Sequence, residues 1–142
     1  MKIRLVLVAM LAIVLAACAP GASGTPERSG PRAIEVTMTD ELRFEPAEFS
    51  IAAGETVRFE VRNAGEIVHE FYIGDQEAQA QHEDEMRELN GGMMHDEPGG
   101  VSVEPGQSET LEYTFDRAGD LLAGCHEPGH YDAGMVATIT VD

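Results

Sequence analysis

Apolar and polar residues alternate along much of this chain with a period of two. The cleanest run is Thr56-Val-Arg-Phe-Glu-Val-Arg62. Val57, Phe59 and Val61 fall on one side, and Arg58, Glu60 and Arg62 on the other, as in a strand with one buried face. Similar short runs occupy Ala33–Thr39, Glu48–Ile51, Val68–Ile73, Ser108–Phe115, Asp120–Cys125 and Met135–Val141, with a shorter one at Val101–Val103. Ala53-Gly54, Ala64-Gly65, Pro105-Gly106 and Ala118-Gly119 punctuate them as turns. Seven or eight short strands at this spacing predict an all-β antiparallel sandwich.

One segment departs from the pattern. Residues 75–89 show no alternation and hold the good helix formers Glu, Ala, Gln, Met, Arg and Leu. Asp75 can cap the start, and Gly91-Gly92 can stop the helix. The spacing predicts a short helical insertion around residues 75–90, with Ala78, His82, Met86 and Leu89 on one face.

The N-terminus reads as a processing segment. Lys2 and Arg4 precede an unbroken apolar run, Leu5 to Ala17, too short to span a bilayer as a helix. Residues 1–17 therefore form a secretory signal. Its end, Leu15-Ala16-Ala17-Cys18, resembles the lipobox of bacterial lipoproteins. The resemblance implies cleavage before Cys18 and lipidation of that residue, and so export to the bacterial cell envelope. The alternative is an ordinary signal cut a little later. Residues 18–31 are rich in Gly, Ser and Pro and read as a flexible tether. That leaves 32–142 as one domain, expected to be a monomer.

Charge narrows the partners. The formal net charge is −17, and losing Lys2 and Arg4 with the signal takes it to near −19. Nucleic acid and anionic membrane surfaces are excluded as partners, so membrane contact would come through the lipid anchor alone. A redox partner with a basic docking patch is compatible with this charge. Solubility alone also accounts for it.

The chemistry concentrates near the C-terminus, in Cys125-His-Glu-Pro-Gly-His130-Tyr-Asp-Ala-Gly-Met135. A thiolate, an imidazole and a thioether follow one another with four residues between each pair. Zinc favours several thiolates or imidazoles, whereas copper accepts soft sulfur as Cu(I) and imidazole as Cu(II). His69 supplies a second imidazole if the fold brings it near. These residues, with Pro128-Gly129 in the loop and His69 after a strand-like run, resemble the cupredoxin family over roughly residues 32–142. The resemblance implies a Greek-key β-sandwich holding one type 1 copper. It assigns His69, Cys125 and His130 as equatorial ligands and Met135 as the weak axial one. It makes His130 the surface port for electrons. One Cys would carry lipid and the other copper, leaving none for a disulfide.

Two positions depart from the best-known members of that family. Many carry Asn directly after the first His, where it ties the two ligand segments together. This chain has Glu70 there, so the resemblance does not carry that tie over. His126, next to Cys125, should face away from the metal because adjacent residues on an extended segment point opposite ways.

A second cluster, Met86, Met93, Met94 and His95, could hold Cu(I) through thioethers and imidazole. Alternatively, Met86 and Leu89 pack the helix down, and the others lie in a Gly-rich loop that covers the site or docks a partner. The region resembles the insertion of small cupredoxins associated with copper tolerance. Two functions follow: outer-sphere electron transfer by Cu(I)/Cu(II) cycling, or copper handling with the same site plus the insertion. Four protein ligands leave no open metal position, which argues against an enzyme.

Overall fold

The computed structural model describes residues 30–89 and 98–142. The signal segment, Cys18, Met93, Met94 and His95 lie outside the described residues. The chain runs β1 (Arg32–Thr39), β2 (Arg43–Glu45), β3 (Glu48–Ile51), β4 (Thr56–Asn63), β5 (His69–Gly74), α1 (Gln76–Leu89), β6 (Gly100–Val103), β7 (Ser108–Thr114), β8 (Gly119–Gly124) and β9 (Val136–Val141). Two sheets form a sandwich, in the orders β2-β1-β4-β7 and β3-β9-β8-β5-β6.

The nine strands among the described residues exceed the seven or eight expected by the short β2, Arg43-Phe44-Glu45. Three residues are too few to show a period. Their place is set by pairing with β1, Phe44 opposite Met38, both buried in the core. The pairing is also not purely antiparallel. β1 runs parallel to β4, and β3 runs parallel to β9. Alternation shows which face a residue takes and carries no information on strand direction. β1 and β3 each pair with a non-consecutive strand, in opposite sheets.

The core forms where the inner faces meet. Val57, Phe59 and Val61 of β4 are fully buried, as their alternation predicts. Phe71 sits among aromatic neighbours, with ring centroids 5.3 Å from Phe44, 5.3 Å from Phe59 and 6.5 Å from Phe49. It lies on β5 two residues beyond His69 and so on the same face of the strand. Phe71→Ala is expected to cost about 3–5 kcal/mol through lost burial and the cavity left behind. Chemical denaturation checks this, and a cost below about 1 kcal/mol would show that the site collapses onto its neighbours.

Strand β5 is buried along nearly its whole length, because α1 packs over the face that points away from the core. The helix starts where expected: Asp75 Oδ1 accepts the N–H groups of Glu77 at 3.1 Å and Ala78 at 2.9 Å, satisfying donors that have no partner within the helix. Its buried face keeps His82 and Met86 of the expected one and is turned away from Leu89. Gln79, His82, Glu83 and Met86 are buried, at helical spacing, whereas Leu89 is 47% exposed. The helix docks on a largely polar strip beside the ligand loop, so polar residues fill much of the contact. Among the described residues, no helix is long and apolar enough to cross a membrane.

Candidate metal centre

Pairing of β5 with β8 sets Tyr72 opposite Gly124. This register brings His69, at the start of β5, beside Cys125, just past the end of β8. The loop from Cys125 to Met135 then closes on itself. His130 N donates to Glu127 O at 2.9 Å, Met135 N donates to His130 O at 3.0 Å, and Cys125 N donates to Met135 O at 3.2 Å. Gly134 holds φ at +92°, a conformation that L side chains rarely adopt, and this turns the chain into Met135. Three of the four expected ligands therefore have their backbones locked to one another.

Their side chains converge. Cys125 Sγ lies 3.3 Å from His130 Nδ1 and 3.9 Å from His69 Nδ1. One ligand atom from each of His69, Cys125 and His130 fits within 4.8 Å of the others. Met135 is fully buried at the end of the same loop. His69 and Cys125 are also fully buried, while His130 is partly exposed. The backbone N–H of Glu70 donates to Cys125 Sγ at 3.3 Å. A buried thiol facing two imidazole nitrogens, with a thioether closing the loop, is a donor set suited to copper.

Burial sets the protonation of the metal-free site. The Cys125 thiol is pushed from its ordinary value of 9.0 up to about 12 by burial, against a smaller opposing pull from the Glu70 N–H. His69 and His130 are both held below the ordinary imidazole value, chiefly by burial. The imidazoles are thus ready to coordinate, whereas the thiol must lose a proton on metal binding. The stability of the metal-free fold should follow. The two His contributions are complete above the ordinary value of 6.5 and are lost as pH falls through the lowered values. The Cys contribution is complete below 9.0 and is lost as pH rises through about 12. Thermal melts of the metal-free protein across pH should therefore give a plateau that declines at both ends. A melting temperature still rising below pH 6 would contradict this.

Glu70 itself makes a tie between the two ligand segments. Its side chain is buried, and Oε2 accepts the backbone N–H of His126 at 3.2 Å, linking the His69 strand to the Cys125 loop. The longer side chain does what an amide could do, and it also reaches the helix. Glu70 Oε1 lies 2.9 Å from His82 Nε2.

His126 points away from the metal, as expected, into a buried polar cluster. Its Nε2 lies 2.7 Å from Gln79 Oε1 and its Nδ1 lies 2.7 Å from Glu83 Oε2. The Gln79 amide nitrogen is committed to the carbonyls of Tyr72, Gly74 and Leu122, so its oxygen faces His126, which donates to it. Tyr131 stacks on His126 at 4.5 Å, and Tyr72 stacks on His82 at 4.0 Å. His82 lies on the helical face expected from the sequence, and Gln79 and Glu83, at helical spacing from it and from Met86, are the residues that this face leaves out.

Met86 is buried on the inner face of α1, the behaviour of a packing residue. Its expected companions Met93, Met94 and His95 lie outside the described residues. Cys125 is a free thiol.

A His-Cys-His set at one end of a β-sandwich, with His69 and Cys125 fully buried and His130 partly exposed, defines a copper-binding protein of the cupredoxin class. The model of the copper-binding proteins of the plastocyanin/azurin family matches residues 32–142, and the chain belongs to that family. It is 39% identical over 138 residues to the copper-resistant cuproprotein CopI of Pseudomonas aeruginosa, an alignment covering 78% of this chain and 76% of that protein. It is 41% identical over 110 residues to the protein of the same name from Rubrivivax gelatinosus, covering 78% and 66%. Among solved structures, reduced auracyanin from Roseiflexus castenholzii aligns with a TM-score of 0.68 at 23% identity, covering 80% of this chain and 99% of that one. Auracyanin B aligns at 0.64 and 24% identity, covering 89% and 99%. These structural likenesses speak to the fold.

Proposed function

We propose that this cupredoxin handles copper in the bacterial cell envelope and supports tolerance of the metal, holding one copper through His69, Cys125, His130 and Met135. The observation that carries the reading is the convergence of one buried thiol and two imidazole nitrogens on a single point. The relatives named copper-resistant cuproproteins support the role. When bound, copper supplies a one-electron couple between Cu(I) and Cu(II). The chain's part is to hold its ligands still and keep water away. Cys125, His69 and Met135 are fully buried, and the loop backbone is bonded to itself. Export through residues 1–17 and anchoring through a lipidated Cys18 belong to the same proposal.

A second reading, outer-sphere electron transfer to a partner with a basic docking patch, is favoured by the partial exposure of His130 alone among the four ligands. Neither reading requires catalysis on a substrate.

Growth of a strain lacking the gene, on rising copper, separates the readings. The intact gene should restore tolerance and Cys125→Ser should not. Replacing Met86, Met93, Met94 and His95 together should leave the main centre intact, since its ligands come from elsewhere. If that quadruple variant lowers tolerance and drops stoichiometry from two tight coppers to one, the insertion is a second copper site. If the gene has no effect on tolerance, the electron-transfer reading takes first place.

A further inference from the structure

His69 turns Nδ1 toward Cys125 Sγ. A neutral imidazole carries one N–H, so a metal on Nδ1 leaves the proton on Nε2. That nitrogen is buried and makes no well-formed hydrogen bond among the described residues. One charged group faces it: Asp40 Oδ1, at 3.4 Å.

The carboxylate is held there by a built loop. Asp40 lies in the turn between β1 and β2. Its two oxygens accept the Glu66 N–H at 3.0 and 2.8 Å, and Oδ1 takes a longer contact from the Ile67 N–H at 3.4 Å. Buried Asn63 shapes the same loop. Its Oδ1 accepts the Gly65 N–H at 2.9 Å, and its Nδ2 donates to Ile67 O at 2.7 Å and Val103 O at 2.9 Å. Gly65 leaves room for this arrangement, because a Cβ there would overlap the Asp40 carboxylate where it now sits. The Glu66 N–H holds the Asp40 carboxyl below its usual range, so it is negative at neutral pH.

We propose that Asp40 is a positioning residue for the copper centre, accepting the Nε2–H of His69, fixing the ring, and biasing the site toward Cu(II). The inference rests on the reading that copper is bound through His69 Nδ1. A carboxylate behind a ligand imidazole orients the ring and makes it a stronger donor. Its negative charge favours the more positive ion. Asp40 is partly exposed, with 38% of its side chain accessible, so solvent moderates the effect without removing it.

The test uses Asp40→Asn and Asp40→Ala in the full-length chain. Asparagine keeps an oxygen for the Glu66 N–H while removing the charge, so it serves if the alanine variant does not fold. Two readouts apply: the ratio of Cu(II) to Cu(I) affinity, and proton–nitrogen NMR of the diamagnetic Cu(I) form. The wild type should show a slowly exchanging His69 Nε2–H. Both variants should keep the visible thiolate band, exchange that proton faster, and lower the affinity ratio roughly tenfold, a rise in potential of about 59 mV for one electron. Unchanged exchange and ratio would overturn the inference. An equal fall in both affinities would also overturn it, leaving Asp40 as a loop brace. A wild-type Cu(I) form in which His69 is not bound through Nδ1 would remove the underlying reading, and this inference with it.

Discussion

Cys125→Ser should abolish the visible absorption of the copper-loaded protein. The band is a transfer of charge from sulfur to Cu(II), and no other described cysteine can replace that sulfur. Copper affinity should fall by more than the 10–100-fold typical of losing a group that merely supports a ligand. The fold should survive, because serine is close in size and the pocket already favours a neutral group. Burial pushes the thiol up to about 12, and a hydroxyl ionises less readily still. Absorption spectra and copper competition titrations on the folded variant check this. An intact band would rule out Cys125 as the ligand.

Glu70→Ala should produce the largest loss of stability among the polar residues. One carboxylate holds the His126 backbone N–H and faces the His82 ring, with both side chains almost fully buried. Removing it takes a buried acceptor from the His126 N–H and from the His82 ring, expected to cost about 1–3 kcal/mol. It also frees the Cys125 loop from the His69 strand, so the copper spectrum should broaden as ligand geometries multiply. Glu70→Gln retains an oxygen for His126 and should recover part of the loss. Denaturation of the metal-free variants measures the first effect. A cost within 0.5 kcal/mol of zero, the range of an ordinary surface substitution, would mean that the link carries little.

The sequence was legible wherever one face of a strand met the core. Val57, Phe59 and Val61 announce β4, and the turn pairs bound most of the other strands. The ligand loop was legible because its donors lie close in sequence. The misses share a cause. Phe44 lies in a strand too short to show a period, and parallel pairing of β1 with β4 leaves no mark on alternation. Glu70 departs from the family's Asn, so the pattern alone does not predict a tie there, yet its extra methylene lets it reach two segments at once. The helix face drawn through Ala78, His82, Met86 and Leu89 holds for His82 and Met86 but includes the exposed Leu89 and leaves out the buried Gln79 and Glu83. What buries those two residues is the set of partners supplied by β5, β8 and His126, which lie distant in sequence.

The central claim is one copper in one thiolate site. Titrating the protein with copper, while following visible absorption and analysing the metal bound, tests it most directly. The account predicts an intense thiolate band that grows to saturation at one copper per chain. Saturation without that band, or two tight coppers with the first bound before the band appears, would contradict it.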